Sequence, residues 1–154
     1  MNLERDIESM GKEILDLFNT SVFASCLTSI TTEKGDDFIL PAFSVRKYGW
    51  AGNEAESPAL FVMGLREELI KDDGNGRWMW FKFAIEVYET GDDAEQLEKK
   101  LNRYARAISE TLLAEYRDEG VIQAIEYSPV FKNQDSLCKV SSIQFNLKVF
   151  QGLN

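Results

Sequence analysis

Residues 77–117 constrain the fold more than any other stretch of this chain. RWMWFKFAIEVYETG alternates strictly, and DDAEQLEKKLNRYARAISETLLAEYR follows it with helical periodicity. Along the strand, Met79, Phe81, Phe83, Ile85 and Val87 fall on one face, which predicts a core face. Trp78, Trp80, Lys82, Ala84, Glu86 and Tyr88 fall on the other. In the helix Leu97, Leu101, Tyr104, Ile108, Leu112 and Tyr116 recur every three or four residues. Asp92 followed by Glu95 has the spacing of a capping box, and Gly120 is placed to end the helix. A strand that feeds into a long amphipathic helix calls for a sheet with that helix laid on it.

The flanking segments complete the plan. Leu3, Ile7, Met10, Ile14 and Leu17 predict an N-terminal helix over 2–19 with Asn2 as its cap. Val22, Phe23 and Leu27 either extend that helix or form a packed turn beneath it. FILPAFSVRKYGW (38–50) reads as a short strand that Pro41 restricts to an edge or an irregular path, and AGNEAESP as an exposed loop. Residues 31–58 are therefore read as an extended loop, and a loop that long in a small domain has a use. A strand over 59–71, the turn DDGNG (72–76), a strand over 121–128, the turn NQD (133–135) and a strand around 140–151 follow. In the last, Ile143, Phe145, Leu147 and Val149 face inwards. Short turns between neighbouring strands make the sheet mainly antiparallel. The expected fold is α+β: a single domain over 1–154, with an N-terminal helix and one long central helix on one face of the sheet.

Absent residue types exclude much chemistry. The 154 residues include no histidine, so nucleophilic catalysis lacks its usual base, and no G-x-S-x-G elbow is present. Cys26 and Cys138 form no metal or redox spacing and read as small apolar residues. Gly74-Asn75-Gly76 lacks the third glycine of a dinucleotide fingerprint. A calcium loop with Gly76 at its sixth position would place Lys71 and Lys82 where acidic ligands belong. No cofactor or metal is expected. Carboxylates acting alone are left as the weakest enzymatic alternative. The net charge of −9 disfavours wrapping nucleic acid, while permitting DNA to pass by without adhering. The acidic start MNLERDIESMGKE has no signal-peptide character and no apolar run is long enough for a bilayer, so cytoplasmic synthesis and no membrane partner are expected.

Function then falls to surfaces. Trp78 and Trp80 share a strand face with Lys82 and Glu86, which suits a contact with another subunit, although helices covering that face would bury them equally well. Lys99, Lys100, Arg103 and Arg106 form a basic cluster on the long helix. It is either a solvated face with i,i+4 pairs or a contact to an acidic neighbour. Tyr48 and Trp50 in the long loop, and Asp72, Asp73, Asn75 and Arg77 at the hairpin tip, are candidate assembly loops.

The order helix, loop, hairpin, long helix, hairpin resembles the tail terminator and neck (head–tail completion) proteins of long-tailed bacteriophages and phage-derived particles. The likeness rests on FKFAIEVYETGDDAEQLEKKLNRYARAISETL (81–112) with its RYARAI stretch, on SPALFVMG (57–64) and on IQFNLKVF (143–150). It covers most of residues 57–151; residues 20–56 match no part of that plan. The resemblance implies a virion protein without enzymatic activity, made in the host cytoplasm and placed at the tail–head junction. It implies a homo-oligomeric ring, commonly a hexamer, that ends tail-tube growth and offers a head-joining surface. Its partners would be itself, the tail tube protein and a head-completion or connector protein, with DNA passing through unbound. Alternatives are another connector or minor tail protein, or a small ligand-binding α+β module whose aromatics line a pocket.

Overall fold

The computed structural model describes residues 5–36, 38, 40–49 and 56–152. Three helices and six strands follow in the order α1 (Ile7–Leu17), α2 (Ser21–Lys34), β1 (Val45–Tyr48), β2 (Ala59–Asp72), β3 (Gly76–Gly91), α3 (Ala94–Glu115), β4 (Gly120–Tyr127), β5 (Phe131–Asn133) and β6 (Ser136–Gly152). The α+β class stands. The sheet runs β1-β2-β3-β6-β4, with β5 paired to β6 beyond the end of β4. All pairings are antiparallel except β1 with β2.

The strict alternation of β3 has the predicted result. Met79, Phe81, Phe83, Ile85 and Val87 are buried against Ile143, Phe145, Leu147 and Val149 of β6 and the stripe of α3. Phe81, Phe83 and Phe145 are fully enclosed, and each contributes about 2–3 kcal/mol by leaving water. Every residue of β3 pairs with β6, which makes these two strands the spine of the molecule. The helices lie on this side: α1 packs on β1 and β2, α3 on β3, β6 and β4, and α2 on α3.

Local physics shifts several boundaries. Asp6 caps α1 by accepting from the Ser9 amide at 2.7 Å, so the first helix starts later than its apolar spacing suggested; Asn2 lies outside the described residues. The ambiguous segment after it is a separate helix. Phe23, Leu27 and Ile30 make its buried stripe, Thr20 caps its start, and Gly35 ends it at φ 70°, a left-handed conformation suited to glycine. A 50° bend separates α1 from α2. Residues 31–34 thus belong to a helix, and the supposed long loop also holds β1.

At α3 the cap is Asp93, which accepts from Gln96, rather than Asp92. Its end is set by Tyr116 and not by Gly120. Gly120 opens β4, where a Cβ would lie 2.7 Å from the Phe145 ring. The tight hairpin at residues 134–135 joins β5 to β6, with Gln134 at φ 57°, and residues 128–130 join β4 to β5.

Candidate assembly surface

Opposite the helices, the sheet presents a face on which no described helix packs. Its lower end is closed by a small cluster of Ala59, Phe61, Tyr88 and Cys138, backed by Val45, Phe131 and Val140. Cys138 is buried there, 3.2 Å from the Tyr88 hydroxyl, as a small apolar residue would be. Towards the β2–β3 turn the face is mixed and half-buried. Trp78 lies 5.1 Å from the Phe150 ring, with the Lys148 ammonium 5.1 Å from the indole. Trp80 stands between Glu68 and Lys148 in the ladder, and Lys82 pairs with Glu68 at 2.9 Å.

The two borders of the sheet are the more unusual feature. β1 pairs with β2 only as far as Val62. Beyond it, β2 has no strand on its outer side among the described residues. Leu65, Leu69 and Ile70 are exposed there, Leu69 by 58%. Register shifts leave Leu65 and Ile70 as bulged residues. At the opposite border β4 exposes Val121, Ile125 and Tyr127. These six are the majority of the eight large apolar side chains exposed among the described residues. The sequence hinted at the first border, since leucines and isoleucine interrupt the charges of LREELIKD; nothing local marks β4 as an edge.

The basic cluster of α3 is largely engaged within the chain. Arg103 is only 6% exposed and donates twice to Asp36, at 2.9 and 2.5 Å, beneath the Phe38 ring. Those hydrogen bonds from the guanidinium hold the Asp36 carboxyl at a pKa of about 2. Arg106 joins Glu33 and Glu110, so both arginines tie α3 to α2 or its end. Lys99 reaches Glu95 at 4.0 Å, an exposed i,i+4 pair, and Lys100 is half-buried.

Among the loop candidates, Tyr48 is a wedge rather than a loop tip. Its ring fills the space over Gly11 of α1, and its hydroxyl the space over Gly64 of β2, where added Cβ atoms would meet it at 2.3 and 3.0 Å. Burial pushes its phenol pKa up. Asp72 and Asp73 accept from the amides of Gly74 and Asn75, closing the hairpin tip on itself. Arg77 donates to Gln151 at 2.8 Å. Trp50 lies outside the described residues. Compared with known protein families the chain matches no family model, and among curated proteins it has no match.

Proposed function

We propose that this chain is a structural virion protein that assembles head-to-tail into a ring at the head-proximal end of a phage tail. There it ends tail-tube growth and offers the surface that joins the head. The supporting observation is the concentration of exposed large apolar side chains on two borders of one sheet that carry no further strand among the described residues, with the helices kept to one side. Open edges carry unpaired amides and carbonyls and are a liability in a monomer; a cyclic assembly covers every one of them. The bare face, with Trp78 and Trp80, is a further surface for tube or connector contacts.

Size-exclusion chromatography with light scattering, followed by negative-stain imaging alone and with tail tubes, tests this reading. Rings, or monomers that form rings on tube ends, are expected. A strict monomer that never associates with tubes and copurifies with a small molecule would sink it. That second outcome has its own observation: a cleft of about 400 Å³ lies beside α2, lined by Phe18, Phe23, Leu27 and Leu40 together with threonines.

A further inference from the structure

We propose that the seam between copies is a continuous antiparallel sheet. Residues Gly120–Tyr127 of β4 on one copy pair with Leu65–Asp72 of β2 on the next, in the register that opposes Glu126 to Arg66. The inference rests on the head-to-tail reading above and specifies its contact.

Strand direction allows it. β2, β3, β6 and β4 alternate in direction, so rotation about an axis along the strands brings β4 antiparallel to the next β2. β4 has eight residues, and the open stretch starts just past Val62, where β1 ends. Below that point Phe131–Asn133 of β5 come level with Arg46–Tyr48 of the next copy's β1, so the two sheets must diverge there to hold both strands.

Register is set by the bulges. A bulged edge normally refuses a regular strand. Here β2 is irregular between Leu69 and Lys71, and β4 between Ile122 and Ala124. With Glu126 against Arg66, Ala124 meets Glu68, Ile122 meets Leu69 and Val121 meets Lys71, and the extra residues Gln123 and Ile70 flank the Leu69–Ile122 pair, one on each strand. Arg66, Glu68 and Lys71 share the bare face with Lys82, Trp80 and Trp78, and Val121, Ala124 and Glu126 share it with Asn146, Gln144 and Ser142. Side-chain faces therefore match along the whole seam, whereas a slip of one residue inverts them. Directly opposed charges comprise one favourable pair and no like pair. Leu65 meets Tyr127 and Leu69 meets Ile122 as apolar pairs, while Ile125 and Val121 lie against the side-chain stems of Glu67 and Lys71.

The stagger fits a closed ring. Arg66 is level with Val121 through Lys82 and Asn146. The seam places Val121 on Lys71, five residues further along, one of them the bulged Ile70. An offset of about four regular residues per four strands is a shear equal to the strand number, for which strands tilt by about 36°. The hand agrees too. The Val62 carbonyl accepts from Gly49, so Met63 points its amide and carbonyl at β3. L-chirality then puts β3 to the right of a rising β2 seen from the bare face. Right-twisted strands take this offset with the helices outside, which lines the inner wall with Trp78 and Trp80.

Cysteine pairing tests the seam, because opposed residues in an antiparallel pair lie within disulfide reach. In a Cys26→Ser background with buried Cys138 retained, Arg66→Cys and Glu126→Cys are oxidised separately, mixed, and combined in one chain. Neither alone should cross-link, the mixture should give one dimer, and the combined variant a ladder. Arg66→Glu should weaken assembly about five- to tenfold, and adding Glu126→Arg should restore it, with near-UV circular dichroism unchanged throughout. Self-cross-linking of Arg66→Cys, or rings without a ladder, overturns the seam and leaves the ring reading standing. A parent chain that stays monomeric at about millimolar concentration and on tube ends overturns both.

Discussion

Arg103 shows how a side chain on the charged side of a helix becomes structural. Its guanidinium is buried at the junction of α3 with the end of α2, where Asp36 accepts from two of its nitrogens. Because the folded pKa of Asp36 is depressed from 3.8 to about 2, its contribution to stability is complete above the ordinary carboxylate value. It is lost as pH falls through about 2. An acid titration followed by circular dichroism should therefore show part of its slope in this window, and Asp36→Asn should flatten that part; an unchanged slope would place the acid sensitivity elsewhere. Gly76 illustrates a different constraint. A Cβ there would lie 2.5 Å from the Gln151 carbonyl oxygen and 2.6 Å from the Phe150 ring. Gly76→Ala should cost about 1–3 kcal/mol through forced displacement of backbone and ring. Gly91→Ala, with nothing within 4 Å, should fall within about 0.5 kcal/mol of the parent in the same thermal melts.

At the scale of elements, β2 is two strands in one. Ala59–Val62 are buried between β1 and β3, while residues 64–72 are mostly exposed. In the free chain the amides of 64–72 should exchange with solvent well before those of β3 and β6, since one side of this stretch is open. Assembly should slow them together with those of β4, and equal protection of β2 and β4 in free and assembled protein would contradict their use as contacts. The helices teach the opposite lesson about visibility. The stripe of α3 was plain because long unbranched residues surround it. That of α2 was not, because Phe23, Leu27 and Ile30 stand among serines and threonines, which have weak helix propensity and favour caps and turns.

Over the whole molecule, one layer of helices covers one side of a sheet whose borders mix exposed apolar and charged side chains. A chain of net charge −9 gains solubility from repulsion, yet it retains six large aliphatic or aromatic side chains on those borders. Rings seen by imaging, and the cysteine ladder at the seam, are the two outcomes expected at this scale.

Fold class, the core face of β3 and β6, and the long central helix were legible from the amino-acid order. Each follows from a local rule, a period of two or of three to four residues, that needs no knowledge of partners. Cap positions were less legible, because several acids compete for each helix start and only chain direction selects Asp6 or Asp93. The sheet edges, the burial of Arg103 and the wedge of Tyr48 were decided by tertiary structure alone. Asp36 is 67 residues from Arg103, and β4 became a border only because β6 took β3 as its other neighbour. Edges and buried ion pairs are properties of who meets whom, and chain closure over such distances leaves no periodic mark in the sequence.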